Sequence, residues 1–289
     1  MELRHIAAHS GRLSSLLREE MGMSSGLMNR LKWQDKLFVN GVAVHTDFAV
    51  APGDVITVPL DEPQPEYPAQ QGDISVLYED EHLLAVDKPA GMLIHPSRSR
   101  FTDTLANYVL GYYEATGQRS AFHPFTRLDR DTFGVVLLAK NAHIHTLLQN
   151  TPVRKTYHAL VLGGPEETCG TIDAPIARKP LPSLLREIRE DGKPSVTRFQ
   201  VMEREGKLCK LALEPVTGRT HQLRLHCMYR GFPILGDPQY NTPESMALST
   251  ELGLGYQLLC AKSLKLIHPI TEEELEIWSK MEIMKNSRR

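Results

Sequence analysis

No run of 18 apolar residues occurs anywhere in the 289-residue chain, so the sequence encodes no helix able to span a bilayer. The opening MELRHIAAHSGRLSS lacks the continuous apolar core of a secretory signal, and a cytoplasmic protein is expected. Cysteine is scarce: Cys169, Cys209, Cys227 and Cys260 stand far apart, with no Cys-x-x-Cys pair. That excludes a zinc knuckle and a disulfide framework, and it fits reduced thiols. His143 and His145 are two apart and His221 and His226 five apart, so neither pair has the i, i+4 spacing of a helical zinc site. A phosphate-cradling GxxxxGK, a GxGxxG after a strand and a GxSxG elbow are also missing. Kinase, dehydrogenase and hydrolase readings lose their main support, and no metal is expected.

What is present is an ordinary globular composition, 41% apolar and 24% charged. The formal net charge of −2 hides an uneven distribution. Residues 151–230 hold 14 Lys and Arg against 9 Asp and Glu, whereas residues 61–150 hold 7 against 12. A basic face on the later segment would suit a polyanion, although lysines and arginines scattered by chance give the same count. Residues 61–73 are polar, contain three prolines and show no apolar period, which reads as an extended linker. The linker divides a small unit at 1–60 from a larger one at 74–289.

In the small unit, Leu13, Leu16, Leu17 and Met21 follow helical spacing, with Ser10 as a plausible cap. A second helix opening at Ser24-Ser25 carries Leu27, Met28 and Leu31. Residues 37–44 predict a hairpin around Asn40-Gly41, and residues 55–58 close a small sheet after the turn at Pro52-Gly53. So small a module is better suited to binding than to catalysis. This order of elements resembles the ribosomal-protein S-four-like RNA-binding domain over residues 9–60. It departs at Gly26 and Asp35, where basic or Gly residues are common. The resemblance implies phosphate contacts from Arg12, Arg30, Lys32 and Lys36.

In the larger unit, strands are expected at 74–78, 82–87, 135–139, 156–163, 196–203 and 208–214. Helices are expected at 104–110, capped at Thr102 or Asp103, at 142–149 and at 220–230. Strands outnumber helices and often follow one another directly. That predicts an α+β fold, with a mixed, largely antiparallel central sheet and flanking helices, over a doubly wound one. Within it, Thr126-Arg127-Leu128-Asp129-Arg130-Asp131-Thr132-Phe133-Gly134 sets an aspartate between two arginines just before the buried run 135–139. A carboxylate at the mouth of a buried strand, with cations beside it, stays ionised and fixed in direction. Such a group suits attack on a bound substrate or removal of its proton. Alone, the same residues also describe a surface turn with a lattice of ion pairs.

Other stretches are equally ambiguous by themselves. Tyr157 in an otherwise apolar strand reads as core packing. After Glu214-Pro215, a Thr217-Gly218 turn leads into a helix carrying Arg219, His221, Gln222 and Arg224. Free amides at such a helix start, with Arg219, would favour an anion, and Arg224 a turn deeper would reach a partly buried carboxylate. Residues 231–240 form a loop whose two Gly and two Pro residues set its path.

Taken in order, Lys88-Pro89-Ala90-Gly91 and the segments 123–141, 154–161, 215–226, 231–240 and 264–269 make six motifs. In that order the chain resembles the bacterial RNA pseudouridine synthases of the RluA/RluD family, from about residue 74 to residue 269. The resemblance implies a pseudouridine synthase fold and cofactor-free isomerisation of uridine in structured RNA, with large-subunit ribosomal RNA as first expectation and transfer RNA as the alternative. A non-catalytic RNA-binding role stays open beside it. A monomer is expected. Asp129 would act on the ribose, adding at the anomeric carbon or removing the neighbouring 2′ proton. Tyr157 would stack on the uracil and help remove its carbon-5 proton, and Arg224 would pair with Asp129. Arg127 would enter the RNA stack when the base flips out, and Leu223 would wall the uracil pocket. Lys155, Arg154 and Arg219 are the candidate phosphate contacts. Three positions depart from the pattern: Thr126 stands for a usual histidine, Phe133 for a serine, and Leu259-Cys260-Ala261 for Leu-His-Ala. Phe133 would tighten the pocket mouth or pack under the loop.

Overall fold

The computed structural model describes residues 2–60, 67–97, 100–183 and 185–283; residues 61–66 of the expected linker lie outside the described residues. Residues 2–60 fold around their own core. They run through β1 (Glu2–Ile6), β2 (Gly11–Arg12), α1 (Leu13–Glu19), α2 (Ser25–Trp33), β3 (Phe38–Val39), β4 (Val42–Ala43), β5 (Ala49–Val50) and β6 (Val55–Pro59). The sheet order is β1-β6-β3-β4, with β2 paired to β5. Helical spacing turns Leu13, Leu16, Leu17, Met28 and Leu31 inward against Val39, Ile56 and Val58. Asn40 and Gly41 both take positive φ, 52° and 79°, as a two-residue hairpin turn requires. Ser24 caps α2 by accepting from the Leu27 amide. Ser10 does not cap α1, whose N-cap is Arg12 with no side-chain cap. The amides of Leu13 and Ser14 are instead taken by the Phe48 and Thr46 carbonyls, so no hydroxyl is needed.

The rest of the chain forms β7 (Val76–Glu79), β8 (Leu83–Lys88), α3 (Leu105–Ala115), β9 (His123–Pro124), β10 (Phe133–Ala139), α4 (Ala142–Gln149), β11 (Val153–Leu162) and β12 (Cys169–Asp173). There follow β13 (Ile176–Arg178), β14 (Arg186–Ile188), β15 (Val196–Glu205), β16 (Leu208–Pro215), α5 (Gln222–Tyr229), α6 (Pro243–Glu251), β17 (Leu259–Ile267) and β18 (Glu274–Trp278). A ten-stranded sheet runs β12-β15-β16-β11-β17-β10-β8-β7, with β18 beside β17 and β9 beside β10. Among the described strands of this sheet, only β10 and β17 pair in parallel. The architecture is therefore the expected α+β fold with a mixed, largely antiparallel sheet. No helix among the described residues is long and apolar enough to cross a membrane.

Both faces of the central strands are covered, which explains why β10 is apolar at every position. Val136 and Leu138 face α3 through Val109 and Tyr113, while Val135, Leu137 and Ala139 face α4 through Ile144 and Leu148. Further along the sheet, Ala159, Val161, Leu211 and Leu213 pack beneath Leu223 and Cys227 of α5. The α3 cap is Thr104 in a capping box with Asn107, not Thr102 or Asp103. The Asn107 side chain also donates to the Pro68 carbonyl, and the Gln70 amide donates to the Asn107 carbonyl. Residues 67–72 are thereby held along α3. The expected helix at 220–230 begins only at Gln222, because His221 sits in left-handed backbone at φ 59°.

Gly134 makes the parallel contact between β10 and β17 possible. Its φ is +109°, and a Cβ there would stand 2.3 Å from the Ala261 carbonyl oxygen. Gly134→Ala is expected to destabilise the protein by about 2–4 kcal/mol, read as a lowered urea midpoint with unchanged slope. On α4, burial and then the charge of His82 push the buried His143 imidazole down to about 4. Between that value and the unfolded value near 6.5, the folded state holds fewer protons than the unfolded one, so stability falls as pH drops through this window. The loss is on the order of 3 kcal/mol. His143→Leu should flatten that acid limb in urea titrations at a series of pH values.

Candidate active site

Three segments converge on a cleft of about 480 Å³, a size ordinary for a small-molecule site. The loop before β10 brings Arg127 and Asp129, β11 brings Lys155 and Tyr157, and the turn into α5 brings Arg219, Leu223 and Arg224. The sheet register makes this convergence. Ala261 of β17 pairs with Gly134 on one side and Tyr157 on the other, so the Asp129 loop and Tyr157 emerge side by side. A register shift between Thr156 and Tyr157 marks a bulge, a device that re-aims a side chain. Arg154 is not in the cleft; it is exposed and pairs with Glu214 at 3.0 Å.

The cleft is built around one guanidinium. Arg224 Nη1 donates to Asp129 Oδ2 at 3.1 Å. Behind it, Arg224 Nε and Nη2 donate to the two oxygens of Asp237 at 2.7 and 2.8 Å, and Nη2 also donates to Gln239 Oε1 at 2.9 Å. The Tyr240 ring lies against the guanidinium, 5.1 Å from its carbon. Burial works against the cation, but the bonds and charges of Asp237 and Asp129 outweigh it and raise the Arg224 pKa. The Asp237 carboxylate is fully buried and also accepts from the Gln239 and Tyr240 amides at 2.9 and 3.0 Å. It is satisfied on every side, as a buried charge must be.

Burial, reinforced by the Asp129 charge, raises the Tyr157 hydroxyl, which stays neutral near pH 7. Burial lowers Lys155, whose Nζ sits 5.6 Å over the Phe125 ring. Arg127 and Arg219 are exposed at the rim, and Leu223 is buried in the wall. The amide of Arg219 is not free for an anion, as the sequence suggested. It donates to Gln222 Oε1, because the Gln222 side chain folds back across the turn to Thr217, Val196 and Thr197.

The Asp129 loop is anchored from below. Lys88 is fully buried and its Nζ donates to the carbonyls of Pro89, Met92 and Arg130, each at 2.9 Å. Burial lowers it to about 8, with the charges of Asp131 and Asp129 opposing. Thr126 Oγ1 accepts from the Leu137 amide, so a short hydroxyl serves where a histidine is common. Phe133 is buried edge-on to Tyr256, with ring centroids 6.0 Å apart, and does not line the cleft.

Sequence reading held Lys88 in the motif 88–91 and Asp237, Gln239 and Tyr240 in the motif 231–240, but gave none of them a role in the site. A signal for Asp237 was present: it is the only acid in the segment 231–240, set between Gly236 and Pro238. Among the described residues no group of three or more His, Cys, Asp or Glu side chains is arranged to hold a metal ion.

Comparison with known proteins places this geometry. The family model for RNA pseudouridylate synthase matches residues 82–229, which spans β8 to α5 and every cleft residue named above except those after α5. The uncharacterised RNA pseudouridine synthase YjbO of Bacillus subtilis (strain 168) is 35% identical over 263 residues, covering 89% of this chain and 90% of that protein. Ribosomal large subunit pseudouridine synthase C of Vibrio vulnificus (strain CMCP6) is 31% identical over 283 residues, covering 92% and 88%. Among solved structures, human RNA pseudouridylate synthase domain containing 1 superposes with a TM-score of 0.60 at 26% identity, covering 74% of this chain and 86% of that one. The chain belongs to the RNA pseudouridylate synthase family and is an RNA-modifying isomerase.

Proposed function

We propose that this enzyme converts uridine to pseudouridine in large-subunit ribosomal RNA, with the Asp129 carboxylate acting on the ribose of a flipped-out nucleotide. The observation that carries the reading is the Asp129–Arg224 pair at 3.1 Å, opening on a cleft that also holds Tyr157. The relative named for the large ribosomal subunit supports this choice of RNA.

In this reading Asp129 either adds at the anomeric carbon or takes the neighbouring 2′ proton, and the glycosidic bond breaks. The detached uracil turns and its carbon 5 bonds to the anomeric carbon, displacing the Asp129 carboxylate on the first route or with the 2′ proton returned by Asp129 on the second. Carbon 5 then loses its proton to solvent and the freed ring nitrogen takes one up. Arg224 holds the carboxylate aimed in a site partly closed to water. Tyr157 offers its flat ring to the uracil, and Leu223 walls the base from solvent. Arg127, at the rim, fills the gap left by the flipped base and offsets an unstacking cost of a few kcal/mol. Lys155 and Arg219 hold phosphates, which position RNA without reading its sequence.

Residues 1–60 serve as an RNA-binding module, joined through residues 61–73 to a catalytic domain at 74–289. Supporting this, Arg12 and Arg30 are exposed, and Lys32 lies 5.9 Å over the ring of Trp33, which is itself 83% exposed. The protein acts in the cytoplasm as a monomer.

Tritium release from carbon-5-labelled RNA tests the chemistry. Asp129→Asn should lower kcat by about a thousandfold or more while RNA affinity stays within about threefold, because phosphate contacts dominate binding. Release from transfer RNA but not from ribosomal RNA would reassign the substrate, and none from either would leave only a binding role. Joint Arg30→Glu and Lys32→Glu changes should raise KM about tenfold, weaken its salt dependence and leave kcat unchanged.

A further inference from the structure

We infer that His221 is a positioning residue for Asp129, its Nε2–H directing the carboxylate oxygen that Arg224 leaves free. The inference rests on the reading of Asp129 as the group that acts on the ribose. Arg224 occupies Oδ2, whereas Oδ1 faces His221 Nε2 at 3.9 Å. Contacts of this kind are long in the free enzyme and shorten when substrate closes the site.

The hydrogen-bond pattern assigns the ring tautomer. Tyr240 Oη accepts from the Arg186 amide at 2.8 Å and lies 2.9 Å from His221 Nδ1. Among the described residues Nδ1 is the one acceptor that the hydroxyl proton reaches, so the proton goes there, which leaves the imidazole N–H on Nε2, toward Asp129. A single chain of donors thus runs from the Arg186 amide through Tyr240 and His221 to Oδ1. Tyr240 takes part twice, because its ring also lies against the Arg224 guanidinium and its amide is held by Asp237. One tyrosine therefore aligns the partners of both carboxylate oxygens.

The backbone gives independent support. His221 has φ 59°, a left-handed conformation that a non-Gly residue holds only when its surroundings impose it, and such positions cluster at functional sites. Its side chain does not cap α5, so helix initiation does not account for the residue. The conformation turns the imidazole into the cleft.

The charges around the ring favour the neutral tautomer. Burial lowers the His221 pKa; Asp129 opposes, Arg224 and Arg186 add to the lowering, and Asp237 opposes. These, with Tyr240, are the charged and titratable groups that face it: Asp129 from the loop before β10, Arg224 from α5, Arg186 from β14, and Asp237 and Tyr240 from the loop after α5. A second proton would sit on Nδ1, displace the Tyr240 donation and set a full cation against Asp129, weakening its attack on the ribose. Activity should therefore fall on the acid side as His221 protonates.

The test is kcat and KM for tritium release from carbon-5-labelled ribosomal RNA, from about pH 5 to about pH 8.5. His221→Ala should lower kcat about a hundredfold with KM within about threefold. His221→Gln, whose amide N–H reaches the same point without titrating, should recover about tenfold of that loss and flatten the acid limb. Tyr240→Phe should lower kcat about tenfold at unchanged KM. A His221→Ala enzyme with wild-type kcat and pH profile overturns the inference, and so does one whose KM rises while kcat holds, since that describes an RNA contact. Should the Ala variant fail to fold, wild-type pH profiles in both the Gln and Phe variants overturn it equally. Asp129→Asn, run alongside, separates the two readings: activity there defeats the role of Asp129, whereas its inactivity with an unaffected His221→Ala defeats only this one.

Discussion

A guanidinium clamped from behind by one carboxylate and offered to another is the constraint on which the site depends. Asp237, wholly buried, takes two nitrogens of Arg224 and leaves the third pointing at Asp129. Burying an arginine and an aspartate costs several kcal/mol per ion, which their mutual attraction and the added amide bonds to Asp237 offset. The benefit is directional. Because Arg224 is held from behind by Asp237, its third nitrogen fixes the direction of the Asp129 carboxylate at Oδ2. Two carboxylates and one guanidinium leave an excess of negative charge at the centre, balanced by Arg127, Lys155 and Arg219 around the cleft.

That arrangement is only as good as the backbone under it. The parallel contact of β10 with β17 brings the start of β10 against Ala261, and β11 brings Tyr157 to the other side of the same residue. Gly134 permits the approach and the bulge at Tyr157 sets the outlook of the ring. Lys88 adds a third support by gathering three carbonyls from two segments beneath the Asp129 loop. Strong local order on one side, and a cleft lined by exposed arginines on the other, suit an enzyme that must receive a large flexible substrate onto a rigid centre.

Much of the scaffold could be read from residue pattern. The run at β10, the Asn40-Gly41 turn and the cap at Ser24 are local signals, and each appears where the pattern puts it. The strands missed include β17, nine residues and almost wholly buried, whose apolar run is broken by Lys262, Ser263 and Lys265, and the shorter β1, β12, β13–β14 hairpin and β18. The misplaced helix starts have different causes. At α1 distant carbonyls satisfy the first amides. At α3 the Thr104–Asn107 capping box sets the start, and at α5 the left-handed backbone of His221 delays the helix by two residues.

By itself the sequence determined which chemical groups the protein has to work with and in what order: an acid among arginines ahead of a buried strand, a tyrosine in an apolar strand, an arginine on a helix. Those are properties of composition and short-range pattern, which the chain carries before it folds. Only the tertiary structure decided which of them meet. Asp129 and Arg224 lie 95 positions apart, and their contact depends on the sheet register that sets their loops side by side. The partners of Asp237, His221 and Tyr240 are set by burial and direction, and both arise from packing among segments remote in the chain.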